Sequence, residues 1–219
     1  MKRKIITVAI DSPAAAGAGT QAKLIAKEYN LAYLDTGKIY RIIGELKLKK
    51  NKLKYNDIKK KIKNINLREL NKNSLINDKV ASAAAEVAKD IKIRKIIKNF
   101  QITYGNNPPK KYSGSVLDGR DITSVIMKNA MFKFYITANV ETRARRRYLE
   151  YKKLKKKISY YEVLKGLKIR DYADKNRKIS PLKKTKDSIL INTSKLSKKA
   201  CFYKIKALID KKLKVNGSI

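Results

Sequence analysis

The run Ile5–Ile10, followed at once by Asp11-Ser12-Pro13-Ala14-Ala15-Ala16-Gly17-Ala18-Gly19-Thr20, constrains this chain more than any other feature. Ile5, Ile6, Val8 and Ile10 read as a short buried strand, and Gln21–Tyr29 reads as a helix with Leu24 and Ile25 inward. A turn of small residues between such a strand and such a helix has the layout of a phosphate-binding loop, G-x-x-x-x-G-K-[ST]. Ser12 stands at the first glycine, Gly17 at the second, Ala18 at the lysine, and Gly19-Thr20 follow. Backbone N–H groups at a helix N-terminus cradle phosphate without any side chain. Ser12, Pro13, Ala14, Ala15, Ala16, Gly17, Ala18, Gly19 and Thr20 are therefore the expected phosphate-loop residues, with the cradle kept and its point charge missing.

Histidine is absent and Cys201 is the only cysteine. That excludes Ser-His and Cys-His nucleophile systems, histidine bases, cysteine metal clusters and a disulfide framework. Any chemistry runs on carboxylates, hydroxyls, lysine, arginine, backbone amides and a hard cation. The 219 residues, 43% of them hydrophobic, suit one domain with a core. No apolar run approaches the ~20 residues a membrane span needs. The start Met1-Lys2-Arg3-Lys4 is basic, but the apolar run after it is too short for a signal-peptide core. A soluble, cytoplasmic monomer is expected. The formal charge of +37 invites a nucleic-acid reading, yet lysines are scattered along the whole chain rather than gathered in one patch. No specific nucleic-acid partner is expected, and aromatic stacking of the kind single-strand binders use is missing.

Strand–helix units repeat: Leu31–Asp35 is a second strand, and Thr36-Gly37 turns into a helix carrying Ile39, Ile42, Ile43 and Leu46. This alternation predicts an α/β fold with a parallel sheet flanked by helices. Lys47 to Asp78 is rich in Lys and Asn and reads as an insertion, with a small helix over Asp57–Lys63 capped by Asn56 and strand-like pieces at Ile65–Leu70 and Ser74–Ile76. Asp90 is placed to cap a helix with Ile91, Ile93, Ile96, Ile97 and Phe100 inward. Ser115–Asp118 and Met131–Ile136 are further strands, and Ser188–Asn192 is the last, before a helix over Ser197–Leu213. A long basic helix over Val140–Lys157 and another within Ile158–Arg177 lie between them.

Asp11, Asp35 and Asp118 each close a strand, where an open α/β sheet places its site. Asp118-Gly119-Arg120-Asp121 joins a carboxylate suited to Mg²⁺-bound water with an arginine able to fork onto phosphate. Arginine supplies only 11 of the 55 cations, yet it gathers at Arg143, Arg145, Arg146 and Arg147 and again at Arg170 and Arg177, two turns apart on one expected helical face with Asp174. In a lysine-rich chain, arginine marks positions where planar, bidentate geometry is needed. Phosphoryl transfer requires such clamps and little covalent help from the protein.

These residues resemble the bacterial cytidylate kinases, nucleoside-monophosphate kinases of the P-loop class. The resemblance runs through Asp11–Thr20, Tyr33-Leu34-Asp35-Thr36-Gly37-Lys38-Ile39-Tyr40-Arg41, Val80–Ala88, Asp118–Asp121, and Arg170–Arg177 with Ile179-Ser180-Pro181-Leu182. It implies one kinase domain: a core of about 1–46, 79–140 and 178–219, a monophosphate-binding insertion of about 47–78, and a basic lid with its following helix over about 141–177. It also implies ATP and CMP or dCMP as substrates, with Mg²⁺. The acceptor-phosphate contacts fall on Thr36, Arg41, Arg120 and Arg177, the cytosine contacts on Arg94 and Asp121, and the ribose contacts on Tyr40, Arg170 and Asp174. Catalytic roles fall on Asp118, Arg120, Arg143, Arg147 and Arg170, and the metal contacts on Thr20 and, through water, Asp118. Ala18 for the loop lysine, Ser12 for the first glycine and Ala85 for a cytosine-contacting serine depart from the family. Lys38 and the lid arginines are the cations available to replace the lysine. A catalytically weakened descendant acting as a nucleotide sensor is the alternative reading.

Overall fold

The computed structural model describes residues 5–50 and 52–215; the basic start at 1–4 lies outside them. Five parallel strands form one sheet in the order β2-β3-β1-β4-β5, with β1 Ile6–Asp11, β2 Leu31–Asp35, β3 Gly114–Gly119, β4 Phe132–Thr137 and β5 Ile189–Asn192. β1 lies in the middle, so the loop after it opens at the centre of the sheet's carboxyl edge. Side chains alternate across the sheet. Ala9 of β1 faces one apolar layer with Leu34, Leu117, Ile39 and Ile43. Val8 and Ile10 face the other, with Phe134, Ile205 and Ile209.

Helix α1 (Ala18–Glu28) packs on the second of these layers, and α2 (Thr36–Lys49) on the first. α1 begins three residues before the expected Gln21, so Ala18, Gly19 and Thr20 form its first turn. Its cap is Gly17 at φ 95, which has no side chain to announce a helix start. Asp35 caps α2, its carboxylate accepting from the Lys38 N–H at 3.2 Å.

The segment after α2 contains α3 (Tyr55–Lys63) and then 3₁₀ turns over Leu67–Asn71 and Asn73–Ile76. The expected strands at Ile65–Leu70 and Ser74–Ile76 are thus helical turns. Asn66 accepts from the Arg68 N–H, which closes the chain locally instead of in a ladder. Asn56 is not the α3 cap; the chain enters at Lys54, whose N–H donates to Asp57 at 3.1 Å. Ile58, Ile62, Leu70 and Leu75 bury into the same apolar layer as Ile39 and Leu117.

α4 (Asp78–Val87) and α5 (Ile91–Asn106) follow, the latter capped by Asp90 through the N–H groups of Lys92 and Ile93. A π-helical turn over Ile122–Ile126 leaves β3. α6 (Val140–Lys153) is shorter than expected, and α7 (Tyr160–Asn176) ends before Arg177. Arg177 has extended backbone (φ −64, ψ 138) and so leaves the helical face that Arg170 and Asp174 share. α8 (Lys198–Val215) closes the fold against α1, with Cys201 buried between them. Among the described residues no helix is long and apolar enough to cross a membrane.

Candidate active site

Neighbouring strands bring three carboxylates to one edge: Asp11 lies level with Gly119, and Asp35 with Asp118. Asp11 is fully buried and accepts from the Ile122 N–H at 2.7 Å, the Thr123 N–H at 2.9 Å and the Thr123 hydroxyl at 2.5 Å. It therefore fixes the turn that carries Arg120 and Asp121. Gly119 permits a close approach at the same place: a Cβ there would lie 2.5 Å from Thr36 Oγ1. That hydroxyl donates to the Asp118 carbonyl at 2.8 Å, tying the start of α2 to the end of β3.

The phosphate loop curls over this edge. Ser12, in the place of the loop's first glycine, carries a Cβ and has no left-handed φ; its N–H donates to the Gly119 carbonyl at 3.1 Å. The left-handed residues of the loop are Ala15 (φ 60) and Gly17 (φ 95). Ala18 is buried among the residues of β1 and α1, whereas Thr20 is exposed at the first turn. Asp118 Oδ2 and the Tyr33 hydroxyl lie 3.5 and 3.4 Å from where a Cβ on Gly19 would sit, directly beneath the loop. Asp118 Oδ1 is buried without a hydrogen bond.

Burial, above all, raises the Asp118 carboxyl to about 7, with the Asp35 charge adding to it. Burial also raises Asp11 to about 6, against the opposing hydrogen bonds from Thr123 and Ile122. Both folded values exceed the unfolded one, so the folded state holds these protons more tightly. The stability they contribute is full below the ordinary carboxylate range and is lost as pH rises through about 6 and 7. No histidine titrates in that window. The melting temperature of the ligand-free protein should therefore fall from pH 5 to pH 8, and Asp118→Asn should remove the upper part of the fall. A wild-type profile flat across that range would contradict this.

Beyond the loop, arginines crowd round two carboxylates. Arg94 Nη2 pairs with Asp121 Oδ2 at 2.7 Å, and Arg177 Nη2 approaches Asp121 Oδ1 at 3.9 Å. Arg120 Nε donates to Asp174 at 2.8 Å, and Arg170 approaches the same oxygen at 3.9 Å. Arg41 donates to the Leu75 carbonyl at 2.6 Å and, like Arg120 and Arg147, lies within electrostatic reach of Arg170. The Tyr40 ring sits 5.8 Å from the Arg94 guanidinium. Four guanidiniums thus share Asp121 and Asp174, with Arg41 within electrostatic reach of one of them. Burial lowers the pKa of Arg177, and its Nη2 has no hydrogen bond. A cluster with so many cations round two carboxylates is built to receive an anion with several negative oxygens.

Thr36, Tyr40, Arg41, Arg94, Asp118, Arg120, Asp121, Arg170, Asp174 and Arg177 therefore converge on the carboxyl edge. Arg147, on α6, is paired with Glu150 at 3.0 Å. Arg143 lies elsewhere: it is 4% exposed, clasped by Asp171 and set against the loop. Asp171, Thr123 and Thr193 were not singled out by the sequence, though Thr193 directly follows a strand end, where such residues gather.

A family model described as cytidylate kinase matches residues 8–211. The chain belongs to the cytidylate kinase family. It is 38% identical over 218 residues to a cytidylate kinase of Clostridium botulinum, covering 94% of this chain and 98% of that one. It is 41% identical over 216 residues to a cytidylate kinase of Bartonella tribocorum, covering 97% and 98%. A solved structure of an uncharacterized protein from Eubacterium ventriosum shares the fold, with a TM-score of 0.55 at 18% identity over 94% of this chain and 98% of that one.

Proposed function

We propose that this enzyme of the cytidylate kinase family transfers the γ-phosphoryl group of ATP to CMP or dCMP, giving ADP and the diphosphate. The observation that carries the reading is the cluster of Arg41, Arg94, Arg120, Arg170 and Arg177 at the sheet's carboxyl edge, beside the Asp118 that lies under the phosphate loop. An acceptor phosphate oxygen attacks Pγ, a bond forms there, and the bond from Pγ to the bridging oxygen of ADP breaks. The acceptor is already an anion, so no general base is needed, which suits a chain without histidine. Arg120 and Arg177, with Arg41 and Thr36, hold the acceptor phosphate. Arg94 and Asp121 read the base, and Tyr40, Arg170 and Asp174 hold the ribose. The segment 47–78 forms the acceptor side, and 141–177 closes over the donor with Arg147 and Arg170 near the transferred group.

Mg²⁺ bound with ATP neutralises charge on the donor phosphates. Asp118, with Oδ2 near Gly19 and Oδ1 buried and unpaired, and the exposed Thr20 fit a hydrated hard cation, and these two residues would hold it.

The Arg94–Asp121 pair, at 2.7 Å, presents a donor and an acceptor already set in place. A base that leaves such buried groups unpaired is rejected strongly, so kcat/KM for CMP should exceed that for AMP by ~10²-fold or more. A coupled ADP-release assay with CMP, dCMP, UMP and AMP tests both statements. Absence of turnover with any pyrimidine monophosphate would overturn the activity, and equal efficiency with AMP the base assignment. Ala85, exposed on α4 in place of the family's serine, is expected to weaken discrimination against UMP.

A further inference from the structure

The phosphate loop is gripped through its carbonyl groups. Arg143 of α6 donates from Nη1 to the Ala14 carbonyl at 3.2 Å, while its Nε donates to Ala138 O at 2.8 Å. The rest of its fork closes on Asp171 of α7 at 3.1 and 2.5 Å. Thr193, after β5, donates to the Ala16 carbonyl at 3.0 Å and is itself held by Arg146 through its hydroxyl (2.9 Å) and its carbonyl (2.7 Å). Arg143 and Thr193 are each 4% exposed. The Ala14 methyl packs with Ala144, Val163 and Leu167, so apolar contact fixes the same point.

Across a trans peptide, the carbonyl of one residue and the N–H of the next point in opposite directions. The peptide bonds of this loop are all trans. Holding the Ala14 and Ala16 carbonyls therefore turns the N–H groups of Ala15 and Gly17 away from Arg143 and Thr193. Ala15 lies between the two held carbonyls and has φ 60, a conformation costly for a residue with a Cβ. Such a conformation persists only where the surroundings over-determine it.

We infer that Arg143 and Thr193, the latter braced by Arg146, are positioning residues that hold the loop's N–H groups in their phosphate-binding direction. The inference rests on the reading that this loop binds ATP. Without a lysine at position 18, the aim of those N–H groups carries more of the donor's binding than it would with a cation beside them. Arg143 acts on the loop and not on the transferred phosphoryl group, because its fork is occupied by protein oxygens.

Calorimetric titration of the full chain with ATP, and separately with CMP, tests this alongside kcat and KM. Thr193→Val removes the donor at nearly constant volume and should weaken ATP binding about tenfold, the loss of one buried hydrogen bond with its partner left unpaired. CMP affinity should hold, and Thr193→Ser should restore ATP affinity. Arg143→Lys, which keeps the charge and loses the fork, should raise KM for ATP by a similar factor with a smaller change in kcat. Unchanged ATP affinity in Thr193→Val, or an Arg143→Lys variant that loses kcat with KM for ATP intact, would overturn the inference. A wild-type protein that binds CMP but no ATP would overturn the donor reading itself, and this inference with it. Should Arg143→Lys fail to fold, the comparison of Val with Ser at position 193 decides alone.

Discussion

Alanine at Arg177 lowers kcat/KM for CMP by about 30-fold to several thousandfold, the range for removing one member of a buried charge pair. Alanine at Arg120 does the same, and KM for ATP changes little in either. Arg177 is placed for this by the end of α7. Its backbone leaves the helix, its Nε donates to the Ser180 carbonyl at 2.6 Å, and its Nη2 stays buried without a hydrogen bond. A surface arginine has no reason to be held so. Arg120 is oriented by Asp174 at 2.8 Å and by its own strand end, where Asp11 fixes the following turn. The arginines already repel one another, so a dianionic phosphate between them relieves repulsion as it gains hydrogen bonds. Steady-state kinetics with CMP varied at saturating ATP reads the effect, with the exposed Arg68 changed to alanine as a control that moves nothing. Wild-type efficiency in both the Arg120 and Arg177 variants would mean that the acceptor phosphate binds elsewhere.

Much of this site was legible because its parts announce themselves locally. A carboxylate at a strand end, a small-residue turn before a helix and arginine used sparingly in a lysine-rich chain all show in the sequence. The alternation of strand and helix placed all five strands and the helices after β1, β2, β4 and β5, but not the π-helical turn after β3. Illegible features were decided by contacts distant in the chain or by competing local bonds. The grip on the loop joins residues 28 apart for Arg143 and Asp171 and 177 apart for Thr193 and Ala16. No window along the sequence contains either pair. The two 3₁₀ turns carry apolar residues at spacings a strand also tolerates, and Asn66 tipped the balance by capping the chain on itself. Arg177 looked helical by spacing from Arg170, yet its backbone is extended and its side chain turns to the Ser180 carbonyl at 2.6 Å, so the chain leaves the helix there.

Restoring the loop cation by Ala18→Lys should raise kcat, by up to ~10²-fold on the scale of one charge stabiliser. The arginines nearest the loop leave the place open: Arg143 is closed on Asp171 and two carbonyls, and Arg146 on Thr193. Both hold the loop from its carbonyl side, where a cation cannot also reach phosphate. Arg120 pairs with Asp174 on the acceptor side, and Arg147 with Glu150 near the surface. The variant has a cost of its own. Ala18 is buried at 4% exposure in a packed layer, so the new side chain must turn out toward the loop and adds a charge to a chain already at +37. A loss of about 1–3 kcal/mol in stability is expected from the added methylenes. Rate and stability therefore move in opposite directions, which separates a catalytic gain from a general improvement in folding. Single-turnover kinetics at saturating ATP and CMP, with a thermal melt of the same sample, measures both. If kcat stays at the wild-type value, another cation already stabilises the transferring phosphoryl group. Lys38 at the start of α2 and Arg147 in α6 are then the residues to change, and one of their alanine variants must lose the rate that lysine at position 18 failed to add.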